Sequence, residues 1–216
     1  STSRRQRQMC IRDRNGIIVT VLFACLIGSA LLFYAGWELI IVGLLCVLFA
    51  FLYTTGPYPL SYNGWGDVLV IVFFGFVPVG GTYYVQALTW TSDTTVASLI
   101  CGLLIDTLLV VNNYRDREAD ARSGKRTVIV RFGEKFGRYL YLMLGVAASL
   151  LCFWFFFEGH LFAALLPLLY LIPHVLTWRR MVQIHSGKKL NSILGETSRN
   201  MLLMGILLSI GFLIRH

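Results

Sequence analysis

Seven apolar runs recur along the chain, at about 17–35, 39–54, 67–87, 95–113, 139–157, 161–178 and 200–214, with polar or charged segments between them. A hydrocarbon core of roughly 30 Å takes about 20 mostly apolar residues per helix. The runs therefore predict an all-α, multi-pass transmembrane helix bundle of seven helices, the second and last of them short. The first two runs meet at Tyr34–Glu38, a turn that fits only an antiparallel helix pair. Between the second and third lies YTTGPYPLSYNGWGD, from Tyr53 to Asp67, whose prolines and glycines stop the helix and fix an irregular loop. Gly75, Pro78, Gly80 and Gly81 in the third run predict a kinked helix beside a cavity.

Composition agrees with the pattern. A mean hydropathy of +0.69 and 56% hydrophobic residues, against 14% charged, belong to a multi-span membrane protein. Charge then orients it. With those seven spans, 18 of the 19 Lys and Arg lie on one side, and the opposite turns carry Glu38, Asp93 and Glu158. Basic loops stay cytoplasmic, so the 114–138 segment is expected to face the cytoplasm. The net charge of +8 thus reflects topology and anion binding. No nucleic-acid partner is expected, because the basic residues follow no RNA- or DNA-binding pattern. Cys10, Cys25, Cys46, Cys101 and Cys152 have neither metal-ligand nor disulfide spacing and read as small core hydrophobes.

Residues 1–14, STSRRQRQMCIRDR, differ from the rest and contain no signal-peptide core. They read as a basic tail or as translated sequencing-adapter sequence, with a single transmembrane domain over 15–216.

The candidate chemistry lies in DTLLVVNNYRDREADARSGKRTVIVRFG, from Asp106 to Gly133. Asp106 falls inside an apolar run, where an ionised carboxylate costs about 2.5–3.5 kcal/mol on insertion scales. It must face the bundle interior, pair or be protonated; a functional role and a hydrogen bond to Thr or Tyr both remain open. Asn112, Asp116 and Asp120 are spaced i, i+4, i+8. On a continued helix each step advances about 6 Å and 40°, so all three share a face and can converge on Mg²⁺, which takes oxygen ligands and keeps waters and substrate phosphates in its shell. A solvated loop of alternating charge is the other reading of the same residues. Arg115, Lys125, Arg126 and Arg131 are candidate diphosphate clamps. Tyr53, Tyr58 and Tyr62 are interfacial anchors or part of a lid, with Tyr62 and Asp67 favoured for function. His174 reads as a core histidine.

The segment from Asn112 to Glu134 closely resembles the second aspartate-rich motif of the UbiA superfamily of intramembrane prenyltransferases, in its 1,4-dihydroxy-2-naphthoate branch. The match rests on Asn112, Asn113, Arg115, Asp116, Asp120, Gly124, Lys125, Thr127, Val130, Arg131 and Gly133. The earlier loop resembles the family at Tyr53, Gly56, Pro59, Tyr62, Gly64, Gly66 and Asp67. The resemblance implies Mg²⁺ on Asp116 and Asp120, with Asn112, Arg115, Lys125 and Tyr62 in the catalytic set. It implies substrate contacts from Arg131, Arg126, Tyr53, Asp67 and Asn113. The expected reaction moves a polyprenyl group from its diphosphate to 1,4-dihydroxy-2-naphthoate, with decarboxylation, in a bacterial cytoplasmic membrane. An acceptor such as 4-hydroxybenzoate, or a multi-pass transporter, is the alternative. Two departures stand out. The family has nine helices and a first aspartate-rich motif, so the chain reads as a fragment lacking two helices and inactive alone. Tyr58 also stands where relatives carry Arg or Lys.

Overall fold

The computed structural model describes the backbone of residues 2–214 and the side chains of 15–214. The expected basic tail over 1–14 therefore lies outside the residues described with side chains. In chain order the helices are α1 (Thr2–Ala35), α2 (Glu38–Thr54), α3 (Gly66–Val70), α4 (Gly81–Ala87), α5 (Ser92–Arg122), α6 (Val128–Leu151), α7 (Trp154–Phe157), α8 (Leu161–Leu165), α9 (Leu171–Ile184) and α10 (Leu190–Leu213). A π-helix over Ile71–Gly80 joins α3 to α4, and 3₁₀ turns cover Leu60–Tyr62 and Leu166–Tyr170. Among the described residues no strand occurs. Six helical segments are long and apolar enough to cross a membrane, and Glu38–Thr54 is a shorter apolar helix. Each expected run is thus a helix of an all-α, multi-pass bundle.

Where the helices end differs from expectation. Instead of a loop over 114–138, α5 continues to Arg122 and α6 begins at Val128, so only five residues connect them. The segment 179–199 likewise shrinks to a connection over 185–189. Hydropathy marks where a chain leaves the lipid, and Arg, Glu and Ala keep a helix going beyond that point.

The chain divides into two compact units, 1–51 and 52–216. In the first, α2 has no buried residue. The second contains the site and is organised on α5. Its N-terminus is capped by Thr91, whose Oγ1 accepts from the Thr94 N–H at 3.1 Å. Farther along, small residues bring α5 against the π-helix: a Cβ on Gly75 would lie 2.5 Å from the Ser98 carbonyl oxygen, and one on Gly102 2.9 Å from that of Ile71. The π-helical turn also accommodates Pro78 within a continuous span.

Several polar groups deep in this unit are paired across helices, as an apolar surround favours. His174 stacks between Tyr141 and Tyr170, with ring centroids 4.7 and 5.0 Å away, and its Nδ1 is 2.9 Å from the Tyr170 hydroxyl. Tyr141 pairs with Thr197, and Asn200 donates to Thr177. His174 is the core histidine expected. The cysteines only partly follow expectation: Cys152 is buried, Cys46 and Cys101 are half-buried, and Cys25 is exposed on α1. Cys10 lies outside the described side chains.

Candidate functional site at the end of α5

The last turns of α5 hold the charged residues in a fixed order because the helix is both continued and cleanly stopped. Its C-terminus closes through Gly124 at φ +77°. The Gly124 N–H donates to the Ala121 carbonyl at 3.2 Å and the Lys125 N–H to that of Asp120 at 2.9 Å, the paired bonds of a Schellman ending. Two residues later Thr127 caps α6, its Oγ1 accepting from the Val130 N–H at 3.3 Å. The tight connection folds Lys125 back over the helix, and its Nζ lies 3.3 Å from Asp120 Oδ2.

One turn earlier Arg115 gathers a second set of groups. Its Nε donates to Asp116 Oδ1 at 2.7 Å and its Nη2 to Asp116 Oδ2 at 2.6 Å. Nη2 also donates to Asn112 Oδ1 at 2.7 Å, and Nη1 to Asn191 Oδ1 of α10 at 2.9 Å. Each motif carboxylate therefore holds its own cation, Asp116 with Arg115 and Asp120 with Lys125. The pairs form one electrostatic cluster, since Arg115 also feels Asp120 and Asp116 feels Lys125.

The Tyr53–Asp67 loop packs onto the same connection. The Tyr62 carbonyl accepts from the Arg126 N–H at 2.7 Å, and the Asn63 carbonyl accepts from Arg131 Nη2 at 2.7 Å. Gly64 makes this possible, with φ at +82° and a hypothetical Cβ only 3.0 Å from the Arg126 carbonyl oxygen. Between loop and connection opens a narrow cleft, lined by Tyr53, Ser61, Gly64, Gly66, Asp67, Asn113, Lys125 and Thr127.

The residues expected at a site thus separate into three groups. Asn112, Arg115 and Asp116 meet in one knot. Lys125, with Asp120 paired to it, joins Tyr53, Asp67 and Asn113 at the cleft. Arg126, Arg131 and Tyr62 are exposed and tie the loop down, Arg126 and Tyr62 through their backbones. Tyr58 is 56% exposed and lines no part of the cleft. Asp106 faces the interior as required, 2% exposed, with its Oδ1 lacking a hydrogen-bond partner. It lies near enough to Asp67 and Tyr53 to interact electrostatically.

Sequence reasoning missed Asn191, Ser61 and Glu134. Asn191 is 76 residues from Arg115 and follows Lys188 and Lys189, so nothing local marks it. Glu134 heads a separate cluster on another side of α5. Its carboxylate accepts from the Tyr114 hydroxyl at 3.0 Å and from Arg117 at 3.3 Å, pairs with Arg138, and lies 3.4 Å from His185 Nδ1.

Among the described residues no three His, Cys, Asp or Glu side chains converge as an all-protein metal cage. The donor set nevertheless fits a hard divalent cation. Asp116 supplies two carboxylate oxygens, Asn112 and Asn191 add amide oxygens, and Arg115 already sits among them as a positive occupant. A Mg²⁺ held by one or two carboxylates, with waters and substrate phosphates completing its shell, needs no more from the protein.

Comparison with known proteins finds several relatives. Three relatives are each a 1,4-dihydroxy-2-naphthoate octaprenyltransferase. The protein from Haemophilus influenzae is 37% identical over 213 residues, covering 92% of this chain and 67% of the relative. That from Escherichia coli is 38% identical over 145 residues, 64% of this chain and 47% of the relative, and that from Mycobacterium leprae is 40% identical over 134 residues, 62% and 46%. The chain therefore spans about half to two thirds of the length of these relatives. No solved structure matches. The UbiA prenyltransferase family model matches residues 11–210, nearly the whole chain with both the cleft and the charged end of α5 inside it, and the protein belongs to that family.

Proposed function

We propose that the protein transfers a polyprenyl group from polyprenyl diphosphate to 1,4-dihydroxy-2-naphthoate, with this chain supplying the end that binds metal and diphosphate. The observation that carries this is the charged end of α5, where two carboxylates and a carboxamide stand beside Arg115 and Lys125 at the edge of an apolar bundle. The activity of the relatives supports the choice of acceptor. The basic segments on one side of the bundle support a cytoplasm-facing site in a bacterial inner membrane.

Asp116 and Asp120 would hold Mg²⁺, which supplies charge neutralisation to the departing diphosphate. Arg115 and Lys125 add fixed positive charge at the same oxygens, and Arg126 and Arg131 lie on the same segment. As the allylic C–O bond breaks, positive charge develops on the prenyl carbon, and the apolar interior keeps water from it. The electron-rich ring attacks through carbon, and loss of CO₂ and a proton restores aromaticity. Asn112 orients a metal ligand or a diphosphate oxygen. Tyr53, Asp67 and Asn113 offer polar contacts to the acceptor from the cleft, with Tyr62 at its edge. The isoprenoid tail, too apolar for water, accounts for a reaction carried out in the bilayer.

The test is a transfer assay in lipid nanodiscs on this chain joined to the N-terminal segment of a longer relative, with product identified by mass. Prenylated naphthoquinol is expected with 1,4-dihydroxy-2-naphthoate, with loss of product on chelation of divalent metal. Equal transfer to 4-hydroxybenzoate would reassign the acceptor, and transfer that survives chelation would remove the metal from the account.

A further inference from the structure

We propose that Asn191 is a third oxygen ligand of the cation site, and that Arg115 is its resident placeholder, displaced when the metal arrives. The proposal rests on the metal reading above. Four oxygens from two helices point at one guanidinium: both from Asp116 at 2.6 and 2.7 Å, Asn112 Oδ1 at 2.7 Å and Asn191 Oδ1 at 2.9 Å. A carboxamide can present either oxygen or NH₂, and both amides turn oxygen inward. With Asp120 one helical turn on along the same face, these are the hard oxygen donors that a small divalent cation takes once Arg115 leaves and they close on it.

The geometry also explains why a cation can win the site. Arg115 and Asp116 side chains are 25% and 38% exposed, so a hydrated cation can reach the pair and compete with its bidentate bonds. Removal of Arg115 from Asp116 releases a planar donor fork suited to phosphate oxygens. Metal entry and readiness to clamp a diphosphate are thereby coupled. Because Asn191 stands in the first turn of α10, the filled site also ties α10 to α5.

The probe is Mn²⁺ binding, read by electron paramagnetic resonance on the purified protein in nanodiscs without substrate. Relative to the unchanged protein, Arg115→Gln is expected to bind Mn²⁺ about tenfold more tightly, the scale seen when groups around a metal site are altered. Adding Asn191→Ala to that variant should remove most of the gain, and Asn191→Asp should restore it while keeping the side-chain shape. Unchanged Mn²⁺ affinity in both Asn191 variants would overturn the ligand assignment. Unchanged or weaker binding in Arg115→Gln would overturn the placeholder. Mn²⁺ binding indifferent to Asp116→Ala would instead sink the underlying metal reading, and this proposal with it.

Discussion

Glu134 and Asp116 are both acids flanked by arginine at the same end of α5, yet they sit in different kinds of cluster. Around Glu134 the groups are closed on one another: Tyr114, Arg117, Arg138 and His185 surround one carboxylate and link α5, α6 and the end of α9. Arg138 also donates to the Tyr114 hydroxyl, Trp178 donates to the Arg138 carbonyl, and the Arg117 guanidinium lies 4.5 Å above the Tyr114 ring. Every member has several partners, as in a cross-brace. Around Asp116 and Asp120 each acid relies on one cation, and oxygens from Asp116, Asn112 and Asn191 all gather on the single guanidinium of Arg115. Both places are rich in charge; it is the gathering of several oxygens on one exchangeable cation that marks a binding site.

Substitutions can break this contrast or sharpen it. The largest effect is expected from Asp116→Ala or Asp120→Ala, each lowering prenyl transfer by roughly 100-fold or more, the scale of losing charge stabilisation at a reacting centre. Melting temperature should scarcely change, and a large drop in it would make these acids part of the scaffold. Glu134→Gln should do the reverse, costing about 2 kcal/mol of stability through weakened charge-assisted bonds while cation binding persists. Thermal unfolding and Mn²⁺ affinity measured together would check it. Lys125→Met should weaken binding of inorganic diphosphate about tenfold, the value of one charge-assisted hydrogen bond, as read by calorimetry at low and high salt. The smallest effect is expected at Gly133, where φ is +88° and α6 changes direction. Gly133→Ala should cost about 1 kcal/mol or more in stability, because φ +88° with ψ 172° is a glycine conformation, and a neutral result would show that the kink is not required.

Much of this was legible in the chain. Apolar runs locate every spanning helix because lipid leaves no alternative to a fully hydrogen-bonded segment. The i, i+4, i+8 spacing of Asn112, Asp116 and Asp120 describes one helix face once the helix is known to continue. Helix ends were harder: α5 and α6 run into the charged segment because Arg and Glu form helix well and their side chains find partners there. Partners distant in sequence were not legible at all. Asn191 reaches Arg115 only through the packing of α10, and the Tyr62 and Asn63 carbonyls meet Arg126 and Arg131 only because Gly64 permits close approach. Arg131, read as a diphosphate clamp, also braces the Tyr53–Asp67 loop, a role that depends on a backbone oxygen and leaves no trace in residue type.

The most direct test of the central claim is the electron paramagnetic resonance spectrum of Mn²⁺ bound to the nanodisc-embedded protein with an unreactive polyprenyl thiodiphosphate. Phosphorus hyperfine coupling should appear in the unchanged protein and vanish in both Asp116→Ala and Asp120→Ala. Coupling that persists in either variant would mean that these two carboxylates do not hold the metal at the diphosphate.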